Sequence, residues 1–375
     1  MQRFLRFCIL LFVLVPVCLS ADPLYSPTWG FRLDLPHGYE YTEGNDFDRF
    51  SFEGPNRARF DIAVYNGVYQ DIEQMVQDVN RRLGNTGDAA FFDYADSAAV
   101  IIELSFNNIE GWGIGVELPA ESGMNPPLLL ALAYAPAGIP ALEFFHLSAL
   151  DSIIPSLAHA RRPGPVMEFG FPRGRLIETG IAGTALTAIF RENDAEAAQA
   201  LVDREFAVLS FYEFSHYWQE AWIRFFRMIY RDSWDRIADA VFRLERSLNV
   251  GAENTDNRAF AERALSWIQG FEYERDFEGS DFINLVTGIT EGRGDCDSRA
   301  MLWAMILSQA NIPAAMMVSR NHSHAMGLAD LPGAGARFEA EGVRWLVAET
   351  TERVGLGLIA ADMSDIESWL GVVFE

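Results

Sequence analysis

The chain has 375 residues, half of them hydrophobic, and a formal net charge of −24. So much apolar content implies two or three folded domains rather than one core or a disordered chain. All 29 basic residues are arginine, which excludes a lysine Schiff base, a P-loop lysine, a Ser–Lys dyad and crosslinking of the chain through its own lysines. The acidic balance, offset by no basic cluster, argues against nucleic acid or an anionic membrane as a main partner.

Residues 1–21 read as an export signal. Arg3 and Arg6 give a positive start, Phe7 to Val17 is an apolar run, and Ser20-Ala21 offers a cleavage point. The run is short for a spanning helix, so a retained anchor is the lesser reading. Lipidation at Cys18 is another. The expected location is therefore outside the cytoplasm, in the periplasm or cell envelope. The cysteines are Cys8, Cys18 and Cys296. Export would leave Cys296 as a lone thiol with no internal disulfide, either a buried inert group or a working nucleophile.

Residues 22–162 read as one α/β sandwich. Trp29–Pro36 and Arg59–Tyr65 alternate as strands do. Ile72, Met75, Val76, Val79 and Leu83 recur at helical spacing, which predicts a helix over Asp71–Leu83. Strands are predicted at Ala98–Ser105, Gly111–Leu118 and Leu128–Ala135, with a closing helix at Ala141–Leu157. The opening Trp29-Gly-Phe-Arg-Leu-Asp-Leu-Pro-His-Gly-Tyr39 resembles PsbP-like sandwich domains. That resemblance implies a binding or assembly module, here one for a cell-envelope partner.

Arg161-Arg-Pro-Gly-Pro165 marks a linker. Residues 163–250 then form a helix-rich connecting region after a strand at Ala185–Phe190. Trp218, Trp222, Phe225, Phe226 and Ile229 line one helical face, a stripe that normally means core. Ser233 is positioned to cap the next helix, carried by Trp234, Ile237, Val241, Leu244 and Leu248.

Residues 251–375 carry the chemistry. A helix is expected at Asn257–Gly270 and a shorter one from Ser280 to Ile289. Gly292-Arg-Gly-Asp-Cys296 is a turn feeding a helix over Asp297–Ala310. Strands are expected at Ala314–Val318, His324–Ala329 and Val343–Thr350. A thiol at a helix start gains from the unpaired N–H groups there, which also suit an oxyanion. Asp295 and Asp297 oppose this by raising the thiol pKa. His324 on a neighbouring strand is a fitting base, and Glu349 on another could orient it. His322, two residues away, is a rival base. Cys296, His322, His324 and Glu349 could also form a four-ligand metal site. With no second cysteine and a catalytic explanation at hand, neither metal nor cofactor is expected.

Gly294-Asp-Cys-Asp-Ser-Arg-Ala-Met-Leu302, Asn311-Ile-Pro-Ala314, His324-Ala-Met-Gly-Leu-Ala329 and Val347-Ala-Glu-Thr-Thr351 resemble bacterial transglutaminase-like cysteine proteinases. These belong to the transglutaminase-like, papain-related superfamily. The resemblance covers about residues 255–353. It implies an α+β fold, Cys296 as nucleophile, His324 as base and Glu349 as the orienting acid. Trp267-Ile-Gln-Gly-Phe-Glu-Tyr273 resembles the family's Q-x-x-x-Y segment, which implies an oxyanion role for Gln269. Two departures stand out. Glutamate replaces the aspartate common at the third position, and Ser298 stands where a second acid is frequent. The expectation is a cysteine-dependent amide or peptide hydrolase, or an acyl transferase, acting on a protein or peptide. The alternative is an inactive envelope interaction protein on the same fold.

Overall fold

The computed structural model describes residues 23–45, 47–120, 123–139, 142–250, 256–275 and 280–374. The expected signal peptide, Cys8 and Cys18 included, lies outside the described residues. No helix among them is long and apolar enough to cross a membrane. Helices and antiparallel sheets make the fold α+β.

The N-terminal part is built on a seven-stranded sheet. From edge to edge its strands are Glu40–Gly44, Arg49–Glu53, Arg59–Tyr65, Leu128–Pro136, Ile109–Glu117, Ser97–Phe106 and Ala89–Tyr94, each pair antiparallel. Along Arg59–Tyr65, Phe60, Ile62 and Val64 alternate into one core, as the period of two requires. The central Leu128–Pro136 strand is apolar on both sides because both sides are covered. Leu129, Ala131 and Ala133 face the core with Ala149 and Leu150 of the Leu142–Asp151 helix. Leu128 and Leu130 face Met75, Val76 and Val79 of the Ile72–Leu83 helix. That helix starts where Asp71 Oδ1 accepts the Gln74 N–H at 2.8 Å and stops at Gly84, whose φ of 66° suits glycine.

Three strands escape the sequence pattern: Glu40–Gly44, Arg49–Glu53 and Ala89–Tyr94. The first and last are sheet edges with largely exposed side chains, so no apolar alternation announces them. The strand expected over Trp29–Pro36 shrinks to Arg32–Leu33, paired with Leu24–Tyr25. A turn closed by the Gly30 N–H to the Ser26 carbonyl replaces its beginning.

Two caps are corrected. Ser233 lies inside the Trp218–Arg236 helix, and the next helix begins at Ala238. The short helix is Leu285–Glu291, capped by Asn284, whose side chain accepts the Thr287 N–H; the Ser280 hydroxyl instead accepts the Phe282 N–H in a turn. In both places a side-chain amide or helix continuation outcompeted the nearby hydroxyl.

One hydrophobic core runs from Met167 through the helices Asp194–Ser210, Trp218–Arg236 and Ala238–Asn249 to Val372. The helix-rich stretch thus shares its core with the last third of the chain. At its centre is the Cys296–Gln309 helix, with Ala300 to Leu307 at most 1% exposed. It lies against a five-stranded antiparallel sheet ordered Arg337–Ala340, Val343–Ala348, His324–Ala329, Ala314–Ser319, Leu370–Val373. Trp303 packs flat on the His324–Ala329 strand at Gly327, where any Cβ would come within 2.5 Å of the indole ring. That close approach holds the helix start against the strand start, where the site forms.

Candidate active site

Cys296 is the first residue of its helix, and Asp295 is the N-cap. Asp295 Oδ1 accepts the Ser298 N–H at 2.9 Å and also the Ser298 hydroxyl. Ser298 therefore serves the cap. The turn before it is clamped by Arg299, which is 2% exposed and donates to the Gly294 carbonyl at 3.0 Å and the Phe271 carbonyl at 2.9 Å. Arg293–Gly294 also pairs in parallel with Glu272–Tyr273. These bonds bring two segments distant in sequence side by side and lay the Tyr273 hydroxyl in hydrogen-bond relation to the Cys296 sulfur.

The opposite wall is the His324–Ala329 strand. The backbone N–H of Ala325 pulls the thiol pKa down, so the sulfur lies near the start of this strand. His324 Nε2 bonds Glu349 Oε2 at 2.8 Å. Because a carboxylate only accepts, Nε2 carries the proton and Nδ1 is left as the basic nitrogen. Glu349 sits one residue past the Val343–Ala348 strand rather than within it. Its Oε1 accepts from the Thr351 N–H at 2.7 Å and the Thr351 hydroxyl at 2.6 Å. Burial would raise this carboxyl, but the His324 bond and charge, with Thr351, bring it below the ordinary range.

Gln269 is close by, in a different posture from the one its resemblance implies. Its Nε2 donates to the Glu349 carbonyl at 2.8 Å and the Val354 carbonyl at 2.9 Å. Both amide hydrogens are thus committed to bracing the segment that carries Glu349. His322 precedes the strand, so the rule that alternate residues share a face does not apply to it. Its ring stacks on Trp369 at 5.4 Å, and Trp369 also meets His324 edge-on at 6.3 Å. Asp295, Cys296 and Asp297 bring three donor atoms within 4.8 Å of one another. In the four-ligand alternative, by contrast, both Glu349 oxygens are already engaged.

The thiol is 2% exposed. Burial pushes its pKa far up, and Asp297 and Asp295 add to this; the Ala325 N–H and Arg275 pull it down. Asp297 Oδ1 is 3.8 Å from the sulfur. Burial, with Asp295 and Asp281, raises the Asp297 carboxyl well above its ordinary range. The resting sulfur is therefore a neutral thiol, not a preformed thiolate. Burial pushes Tyr273 up to about 12, with the sulfur's charge adding to it, so its hydroxyl stays a donor. Tyr273 and Trp369 were not singled out by sequence reasoning, whereas Asp297 was, as an acid that raises the thiol pKa. Of the first two, only Tyr273 had a signal there, as the last residue of the Gln269–Tyr273 segment.

No protein-family model and no curated protein matches the chain. Among solved structures, the chain is similar to the cyanobacterial PsbP (CyanoP) of Synechocystis sp. PCC 6803 at 10% identity, over 37% of this chain and 95% of that one, with a TM-score of 0.28. It is also similar to a protein of Bacteroides thetaiotaomicron VPI-5482 at 9% identity, over 87% of this chain and 89% of that one, with a TM-score of 0.26.

Proposed function

We propose that the chain is an exported transglutaminase-like cysteine hydrolase that cleaves an amide bond of a protein or peptide through a thioester on Cys296. The observation that carries this reading is the 2.8 Å His324–Glu349 bond, made from a strand that packs against the helix opened by Cys296. It leaves Nδ1 as the basic nitrogen in this reading, with Cys296, the only thiol of the described residues, as its partner.

Because the thiol is held neutral, its proton passes to His324 Nδ1 as the sulfur attacks the carbonyl carbon. Glu349 holds the ring in the right tautomer and stabilises the imidazolium. The oxyanion is met by N–H groups at the helix start and by the Tyr273 hydroxyl. The imidazolium then protonates the departing amine. Water, activated by the same nitrogen, resolves the thioester and regenerates the thiol. Gln269 is a positioning residue in this scheme, acting through the Glu349 backbone. The seven-stranded N-terminal part would hold an envelope partner or the substrate.

The deep burial of the thiol favours a second reading, an interaction protein that keeps the fold without turnover. Alkylation by iodoacetamide, followed by peptide mass mapping, separates the two. The hydrolase reading expects modification of Cys296 that falls about 100-fold or more in His324→Ala. A Cys296 inert between pH 6 and pH 9 in the folded protein would sink it in favour of the interaction protein.

A further inference from the structure

A cleft of about 490 Å³ reaches Asp297, the residue next to the thiol in the chain. Its walls are Trp218, Trp222, Phe225 and Phe282; Asp297 is on its wall too, and so is Arg320, which lies over the Trp218 ring at 5.8 Å. Such a stripe of aromatic residues on one helix face would ordinarily close into core. Phe225 does close, at 4% exposed, but Trp218 and Trp222 stay half-buried around open space. Phe206, on the neighbouring helix and also on the cleft, is 38% exposed. Large apolar side chains held around an open volume are costly to leave in water unless something fills the space.

We propose that this cleft is the substrate subsite of the reaction, seating a large apolar side chain, aromatic or branched, next to the scissile amide. This rests on the reading of Cys296 as the nucleophile. Continuity with the reacting centre decides the occupant. Asp297 belongs to both places, with its Oδ1 3.8 Å from the sulfur and its side chain on the cleft wall. A carbonyl carbon at the sulfur therefore leaves the adjoining side chain of the substrate at the cleft. The volume is in the range of small-molecule sites and exceeds the need of a single methyl or hydroxymethyl group. Glu213, Asp281 and Asp297 on the lining disfavour an acidic side chain. Trp218, Trp222, Phe225 and Phe206 come from the helices before residue 250. Specificity is thus supplied by the helix-rich stretch and reactivity by the following part.

The test compares two thiol reagents on the full chain, iodoacetamide and N-phenethyl-iodoacetamide, each normalised to its rate with glutathione. The proposal expects the phenethyl reagent to be favoured about tenfold at Cys296, as burial of one aromatic ring would give. In Trp218→Ser and Phe206→Ser that advantage disappears while the iodoacetamide rate holds. No advantage in the unaltered protein, or an advantage indifferent to both substitutions, overturns it. If neither reagent modifies Cys296, the nucleophile reading has failed. The cleft is then read in Cys296→Ala by the fluorescence of N-phenyl-1-naphthylamine, an uncharged aromatic probe. Saturable binding weakened about fivefold or more by Trp218→Ser upholds an apolar ligand site, and binding that is absent or unaffected overturns it.

Discussion

The two large sheets among the described residues lie beside buried carboxylates that are partnered in different ways. Behind the N-terminal sheet, charge is compensated. Glu205 accepts from Arg224 at 2.8 Å, Arg204 at 2.9 Å and the Ser148 hydroxyl at 2.8 Å. Asp151 takes Arg204 on one oxygen and the Val166 and Met167 N–H groups on the other. Arg224 also reaches the Asp34 carbonyl, and Arg231 the carbonyls of Asp151 and Ile153. At the start of the Cys296–Gln309 helix, compensation is incomplete. Asp295 Oδ2 is buried with no hydrogen-bond partner, the Asp297 carboxyl is raised well above its ordinary range, and the thiol is pushed far up. Matched buried charge welds elements together, whereas unmatched buried polarity stores reactivity.

This contrast can be broken from either side. The largest effect is expected at His324. Replacing it with Ala should lower the Cys296 alkylation rate by about 10²–10⁴-fold, measured by stopped reaction and mass mapping on the folded protein, with some loss of melting temperature because Glu349 loses its partner. Next is Arg224→Leu, which leaves Glu205 and Asp34 short of a partner. It should cost about 3–5 kcal/mol in urea unfolding, while the alkylation rate of the protein that stays folded is preserved. Loss of alkylation there without loss of stability would contradict the division of roles.

Glu349→Gln should slow alkylation about tenfold, by weakening the hold on the imidazole tautomer. Its stability signature follows from the lowered Glu349 pKa. A depressed carboxyl adds stability above its unfolded pKa, and this is lost as pH falls through the folded value. The gap in melting temperature between the parent and Glu349→Gln should therefore be widest near neutral pH and close on acidification. The smallest effect is expected at Asp297→Asn. Where Asp297 is already protonated, the amide changes little. Above its raised pKa, the native carboxylate suppresses the thiolate and the amide does not. The variant should alkylate a few-fold faster than the parent at the alkaline end of a pH series, with the gap closing as pH falls.

Legibility in the sequence followed burial and locality. The Ile72–Leu83 helix and the Arg59–Tyr65 strand were readable because each has one periodic face. The edge strands Glu40–Gly44 and Ala89–Tyr94 were not, since their pairing is set by the neighbouring strand and not by an apolar face of their own. In the site, the roles expected of Cys296, His324 and Glu349 came from motif order. The posture of Gln269 did not, because which carbonyl an amide reaches depends on a loop 80 residues away. Tyr273 reached the sulfur through strand pairing with Arg293–Gly294.

What the sequence determined by itself was the inventory: no lysine, a Cys-bearing turn opening an apolar helix, and a histidine and glutamate in order behind it. Those are properties of composition and short-range pattern. Only the tertiary structure decided that His324 turns Nε2 to Glu349 and that the sulfur is sealed at 2% exposure near the start of the His324–Ala329 strand. It also decided that an aromatic stripe readable as core stands open beside Asp297. Each depends on contacts between segments far apart in the chain, and no local propensity encodes how such segments meet.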